Sequence, residues 1–457
     1  MNRTTKVLLA VGGIVVLSYP GLAWLTGLAI EGRLQHGEQQ VLDKAPYLTL
    51  MKREYHRGVY RSTEITTYSL RNPALQAVVK SATGGTALPS ATITIVSNIQ
   101  HGPLPGLRRV ALGVIESQLI APPGLQKELT GLPDSKPLLQ LRSCIGLFGG
   151  VTHTMTSPAF TVQLSDGSTL TWEGLTASAS TTGNQASWSI QLHVPRFALQ
   201  GRRGGFELAG LTYSGASTKA FGDFNVGTGK LTIDELDGNS ATPGKQFAVN
   251  HISVTSASQV AGEFVDMRVD TTADTATIAA VNLQKLSYLL SFEHIHGPSL
   301  VALAQGVRAM QRQAGTDPTQ RRAGVQAAVR QYGGAVLLHD PVIDIRQIGF
   351  SMPEGSLVFS SKLAAPGLSP ADLQWPAIIM ALRTHAQVTA DLRVDSGLLQ
   401  RLLAMGGSNP KIAAQLGSLE QQGFLTTASS AITTHLEYSA GRLTLNGHPF
   451  PPAAAAN

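Results

Sequence analysis

Between residues 47 and 283 the chain alternates apolar and polar residues in short runs bounded by Gly, Asn, Asp and Pro. A period of two puts successive side chains on opposite faces of a strand, so this pattern commits the region to half-buried antiparallel sheet. Clear runs lie at 91–99, 160–164, 188–194 and 251–255. Turn signals are expected at Asp166-Gly167, Gly183-Asn184, Asp237-Gly238 and Pro243-Gly244.

A short unit recurs as Gly229-Lys-Leu231-Thr-Ile233, Gly355-Ser-Leu357-Val-Phe359 and Gly441-Arg-Leu443-Thr-Leu445, with a looser copy from Gly167 to Trp172. Each reads as a turn glycine launching a strand. Past residue 283 the period changes. Leu283, Leu286, Leu289 and Leu290 carry helical spacing, residues 301–314 continue it, and Asp317-Pro318 reads as the cap and first residue of a further helix. A second helical patch covers 398–419, interrupted by Gly406-Gly407 and Pro410, and strands return at 342–350, 388–394 and 436–445. The expected fold class is α+β: an N-terminal transmembrane helix, then a mostly antiparallel, repetitive β-sheet domain with a few packed helices.

Residues 7–30 hold 24 residues without a charge. As a helix they would rise roughly 36 Å, enough to cross a hydrocarbon layer. Arg3 and Lys6 precede the run and no acid does, which predicts a cytoplasmic N-terminus. The competing reading is a signal peptide cut after Ala23. Leu34, Val41 and Leu42 carry helical spacing on to Pro46 and favour an uncleaved helix with a stalk. The expected organisation is therefore a cytoplasmic segment 1–6, a span 7–30, a helical stalk 31–46, a β-rich exported region 47–283, a mixed exported region 284–450 and a disordered tail 451–457.

Charged residues are only 14% of the chain and the formal net charge is +6. The basic residues are scattered, with Arg202-Arg203 and Arg321-Arg322 as doublets, so they read as solvated faces and no nucleic-acid partner is expected. A single cysteine, Cys144, excludes an intrachain disulfide, and its apolar surroundings at 141–148 suit a buried thiol.

The tripeptide His-Gly-Pro occurs twice, as His101-Gly102-Pro103 and His296-Gly297-Pro298. Gly-Pro after an apolar run makes a turn, where a histidine can either meet a partner or satisfy a backbone carbonyl. His294 and His296 share one strand face without a third ligand at metal-site spacing, so no metal or cofactor is expected. Neither Gly-x-Ser-x-Gly nor His-Glu-x-x-His occurs, and Gly227-Thr-Gly229-Lys230 has Leu231 where a phosphate loop needs Ser or Thr; it reads as a hairpin turn. Paired-carboxylate hydrolysis would draw on Asp223, Glu263 and Asp266.

Several short pieces, in order, resemble the YdgA-like family of bacterial envelope proteins, a domain of unknown function. They are Gly21 to Gly27 with Trp24, Glu31, Tyr55-His-Arg57-Gly58 leading to Ser62, His101-Gly102-Pro103, Trp172-Glu-Gly174-Leu175, and Tyr438 to Gly441 with Leu443-Thr-Leu445-Asn446-Gly447-His-Pro449. The resemblance implies an inner-membrane anchor with the main domain in the periplasm and self-association, and brings no catalytic residues. Read from the residues alone, Gly58 is a strand kink, Trp172 a core aromatic and Asn446-Gly447 a hairpin turn. The functional expectation is a non-enzymatic envelope protein that binds itself or another envelope protein through sheet edges and the two His-Gly-Pro turns. The alternative is binding of lipid or another hydrophobic ligand in a groove of the sheet.

Overall fold

The computed structural model describes residues 3–44, 48–70, 91–120, 137–164, 167–202, 204–222, 224–240, 246–314, 318–374, 377–405, 410–428 and 430–450. Asp166, Arg203, Asp223, Pro243-Gly244, Asp317, Gly406-Gly407 and the tail 451–457 lie outside the described residues. Two compact units are formed, one from residues 1–218 and 238–242, the other from 219–237 and 243–457.

The first unit opens with helix α1 (Arg3–Lys44). Its strands are β1 (Leu48–Arg57), β2 (Arg61–Leu70), β3 (Ala91–His101), β4 (Gly113–Ile120), β5 (Leu139–Ile145), β6 (Val151–Ser157), β7 (Phe160–Gln163), β8 (Thr169–Trp172), β9 (Leu175–Thr181), β10 (Ser187–Gly201) and β11 (Gly204–Phe221). They pair antiparallel in the order β1-β2-β3-β4-β5-β6-β9-β10-β11. The β7–β8 hairpin pairs with the second half of β10. In the face that carries Ile99, Ile115 and Ile145, register places these residues on neighbouring strands, and Ile30 of α1 packs against all three.

That packing overturns the expected transmembrane helix. Residues 3–44 form one helix, and from Tyr19 onward one side of it lies on the sheet while Leu22, Trp24 and Leu25 stay exposed. The Tyr19 hydroxyl donates to the Leu104 carbonyl at 2.8 Å, and Ala23 and Ile30 are 0% and 1% exposed. Among the described residues no helix is long and apolar enough to cross a membrane. The separate stalk 31–46 is likewise the continuation of this helix to Lys44, and the topology argument from Arg3 and Lys6 loses the span it needed.

The second unit continues with β12 (Phe224–Ser240), β13 (Phe247–Ala261), β14 (Phe264–Ile278), β15 (Val281–His296), α2 (Gly297–Ala314), α3 (Pro318–Leu337), β16 (Val342–Met352), β17 (Gly355–Ala364), α4 (Ala377–His385), β18 (Gln387–Asp395), α5 (Ser396–Met405), α6 (Pro410–Gln421), β19 (Thr426–Ala428), β20 (Ala431–Ser439), β21 (Arg442–Leu445) and β22 (His448–Phe450). Its sheet runs β13-β14-β15-β16-β17-β18-β20-β21-β22, antiparallel throughout, with β19 also beside β20. The described residues are thus sheet-dominated, with a large antiparallel sheet and fewer residues in helix, and the α+β class with a membrane helix is corrected accordingly.

Three local expectations also change. Leu283, Leu286, Leu289 and Leu290 lie on β15, where Lys285 at φ +51° and register shifts at Gln284/Ser287 and Leu289/Leu290 break the alternation, so the run carries no clean period of two. Asp237-Gly238 and Gly227-Thr-Gly229 sit inside β12 and make no turn. Gly227 is held there by Ser258 of β13, whose hydroxyl accepts from the Gly227 amide at 2.9 Å. Cys144 is half-buried.

Ile30→Ala removes most of the side chain that joins α1 to β3, β4 and β5. We expect a loss of about 2–4 kcal/mol of unfolding free energy, read as a lower urea midpoint.

Candidate functional site

The first His-Gly-Pro turn lies under helix α1. His101 ends β3 and is 1% exposed. Its Nδ1 is 2.8 Å from the Val59 carbonyl and its Nε2 is 2.9 Å from Ser62 Oγ. A carbonyl can only accept, so Nδ1 carries a proton, Nε2 meets the serine hydroxyl, and both ring nitrogens are satisfied. Gly27 of α1 lies over the ring. A Cβ there would stand 2.6 Å from His101 Cε1, so only glycine permits the approach. At Gly102 a Cβ would collide with the Ala111 and Leu112 carbonyls, and the Gly102 amide donates to Leu112 O at 2.7 Å. The Thr26 hydroxyl reaches the Gly102 carbonyl at 3.2 Å, and the Tyr19 ring stacks on Tyr60 at 5.7 Å.

Other resemblance residues arrive at the same place. Arg57 at the end of β1 pairs with Glu31 of α1. Gly58 opens the β1–β2 hairpin, where a Cβ would meet the Arg61 carbonyl, and is therefore a turn residue. Tyr55 packs on the Ile30 cluster and Ser62 binds His101. Two turns further along α1, Glu38 accepts from the Tyr68 hydroxyl at 2.6 Å, and the buried Glu64 is paired with Arg53 at 2.6 Å. Burial, then the bond to Glu38, push the Tyr68 hydroxyl well above the usual phenol range. Tyr55, Arg57, Gly58, Ser62 and His101-Gly102-Pro103 are thus one assembly that fastens a helix to a sheet. His101 is sealed inside it and presents nothing to a partner.

The second His-Gly-Pro is built differently. His296 ends β15, and Gly297 and Pro298 open α2, with the Phe221 ring where a Gly297 Cβ would lie. The His296 ring stacks on His339 at 3.8 Å and its Nδ1 is 2.8 Å from Ser299 Oγ. His294 stacks on Phe264, also at 3.8 Å. These rings meet face to face, and lone pairs do not converge. Among the described residues no group of three His, Cys, Asp or Glu side chains is arranged to hold a metal. Of the candidate acids, Glu263 is exposed on the β13–β14 hairpin and Asp266 accepts from the His294 amide at 2.9 Å.

The remaining resemblance residues are structural in place. Trp172 lies between Phe160 and Phe197, its Nε1 donating to Ser157 Oγ at 2.8 Å, and Gly174 sits at φ +99° against the Ser157 carbonyl. Leu443 and Leu445 form β21, and Asn446-Gly447, both at positive φ, turn the chain into β22. The Asn446 side chain also donates to the Phe424 carbonyl at 3.1 Å and accepts from the His435 amide at 2.8 Å.

The sequence did not single out one broad face of the second unit. Register aligns Tyr288, Ile348, Phe359 and Leu392 in one row across β15 to β18. Val269, Leu290, Ile345, Ser361, Ala390 and Leu436 form the next row, with the buried Ser361 as its one polar member, and Met267, Phe292, Ile343, Leu363, Val388 and Tyr438 a third. At one end of these rows α5 covers the sheet, with Leu398, Leu399 and Leu402 on Phe350, Leu357, Leu392 and Val394. At the other end α4 touches it where the Tyr438 hydroxyl donates to the Arg383 carbonyl at 2.6 Å. Between them Tyr288, Ile343 and Leu363 remain 42%, 38% and 37% exposed. Three rows over six strands make a floor of about 13 by 24 Å.

His153, on β6, donates to or accepts from Ser143 Oγ at 2.8 Å, and burial holds its pKa below the ordinary imidazole value. A folded-state pKa below the unfolded one means that the unfolded chain binds the extra proton first. Stability contributed by neutral His153 is therefore present above about pH 6.5 and lost as pH falls through the depressed folded value. His153→Gln should reduce the drop in urea midpoint between neutral and mildly acid pH. In the same unit Gly27→Val should free α1, read as cleavage within residues 19–44 by a protease that spares the wild type.

No curated protein and no solved structure matches the chain. A family model described as a bacterial protein of unknown function, DUF945, matches residues 1–453. The match covers nearly the whole chain, and the chain belongs to this bacterial family of unknown function.

Proposed function

We propose that this chain is a non-enzymatic binding protein whose second unit takes up an elongated apolar ligand, such as a lipid acyl chain, on the sheet face between α4 and α5. The observation that carries the reading is the three-row apolar floor with Tyr288, Ile343 and Leu363 left open to solvent. Large apolar side chains left open on an otherwise apolar sheet face are a place where an apolar molecule can be seated. The floor is long and narrow, a shape suited to a chain-like molecule, and the two flanking helices supply walls. No catalytic constellation competes for the same face. The YdgA-like resemblance supports the reading only in that it brings no catalytic residues. Partner binding through His101 is less favoured, because that ring is buried and fully bonded.

The test is titration of detergent-free protein with a neutral fluorescent naphthylamine probe, followed by displacement with long-chain fatty acid. Saturable binding is expected, and Tyr288→Glu and Leu363→Glu, both at exposed positions, should each weaken it about tenfold or more through the cost of seating an apolar chain on a charge. Absence of saturable binding, or equal affinity in both variants, rules the reading out.

A further inference from the structure

Strand register in the first unit brings four turns to one end of its sheet. Arg57 faces Ser62, Arg61 faces Gln100, Gly113 faces both His101 and Ile145, Val151 faces both Ile145 and Thr181, and Thr181 faces Trp188. Turns 58–60, 102–112, 146–150 and 182–186 therefore leave the sheet along one edge. The last of them, Thr-Gly-Asn-Gln-Ala, is polar. The other three each put large apolar side chains in water: Val59 and Tyr60, then Leu104, Leu107 and Val110, then Leu147 and Phe148. Leu107 is 80% and Phe148 96% exposed. Six strands at sheet spacing spread these three tips over about 24 Å.

The tips are held in place by backbone bonds. The Leu107 amide donates to the Leu104 carbonyl at 2.9 Å, the Ala111 amide to the Pro103 carbonyl at 3.0 Å and the Gly149 amide to the Gly146 carbonyl at 2.9 Å. Leu107 itself stands at φ +56°, a region that a leucine adopts only at a conformational cost. Single exposed apolar residues are ordinary, whereas the same property at three successive turns of one edge marks an interaction surface. Helix α1 reaches this edge too: Tyr19 bonds the Leu104 carbonyl and stacks on Tyr60, and Leu22, Trp24 and Leu25 on the next turn are exposed.

Charge selects the partner. Residues 58–61, 102–112 and 146–150 contain Arg61, Arg108 and Arg109 and no Asp or Glu. All three arginines are exposed, and none forms an ion pair with any described residue. Glu31 of α1, at the same edge, is taken by Arg57. Apolar tips, interfacial Tyr and Trp rings and unopposed arginines together match the layered chemistry of an anionic bilayer surface, where acyl chains lie beneath phosphate groups.

We infer that this edge of the first unit docks on an anionic lipid surface, with Leu107, Val110 and Phe148 entering the acyl boundary and Arg61, Arg108 and Arg109 on the phosphates. The contact is made by turns at headgroup depth and needs no helix that crosses the layer. It is independent of the apolar floor, which belongs to the second unit.

Flotation of the full chain with vesicles of phosphatidylcholine containing about one part in four of phosphatidylglycerol tests it. Binding is expected, weakening as salt is added and at least about tenfold poorer on phosphatidylcholine alone. Arg108→Gln with Arg109→Gln, and separately Leu107→Ser with Phe148→Ser, should each weaken it about tenfold or more. All four positions are exposed, so circular dichroism should match wild type. In a Cys144→Ser background, an environment-sensitive fluorophore on Phe148→Cys should shift to the blue on vesicles, and one on Thr49→Cys, at the far end of β1, should not. No binding to the anionic vesicles, binding unchanged in either double variant, or a label at position 148 that stays in water would overturn the inference. So would a dimer formed without vesicles and lost in Leu107→Ser with Phe148→Ser, which would give the edge to a second copy of the chain.

Discussion

The first unit depends on a helix lying on a sheet face that carries buried polar groups. Ser62, Glu64, Ser97, His101 and Ser143 are all nearly inaccessible. Each needs a partner, because an unpaired polar group taken out of water costs about 1–3 kcal/mol. The partners are there: His101 for Ser62, Arg53 for Glu64, Ser117 for Ser97 and His153 for Ser143. The close approach that excludes water comes from Gly27 over the His101 ring and from Gly113, whose missing side chain leaves room for Ile30. Apolar burial at Ile30 and the satisfied polar groups around it therefore stand or fall together.

The second unit solves a different problem. Its strands form a wide antiparallel sheet with one apolar and one polar face; α5 and α4 touch opposite ends of the apolar face, and its outer rows keep Tyr288, Ile343 and Leu363 open. Leu398 of α5 is fully buried at one end, while Leu363 in the third row is more than a third exposed. On the polar face a single inserted residue, Arg346, breaks the regular ladder and reaches across β15 to Asp270. The proposed apolar surface thus arises where the sheet departs from complete coverage.

Much of this organisation was legible in the residues. Alternation predicts strands such as β3 and β10, Pro318 marks the start of α3, and Asn446-Gly447 marks the last hairpin. The N-terminal helix was misread because hydropathy alone does not distinguish lipid from a protein surface. The distinguishing marks were Thr26, Gly27 and Glu31 on the helix, and they acquire meaning only opposite Gly102, His101 and Arg57. The β15 leucines were misread because irregularities at Lys285 and between Leu289 and Leu290 break that strand's alternation. The convergence of Tyr55, Ser62 and His101 needs tertiary contacts between residues some forty positions apart, and neither the apolar floor nor the Arg346 bulge has a local signature, since both are properties of register across several strands.

Amide hydrogen exchange along residues 19–44 tests the central claim most directly, because docking protects the helix through the sheet beneath it. The account predicts that the amides around Thr26 to Leu34 exchange as slowly as those of β2, β3 and β4, and that Gly27→Val releases both together. Rapid exchange of that helical stretch in the wild type, with β2 to β4 still protected, would contradict it.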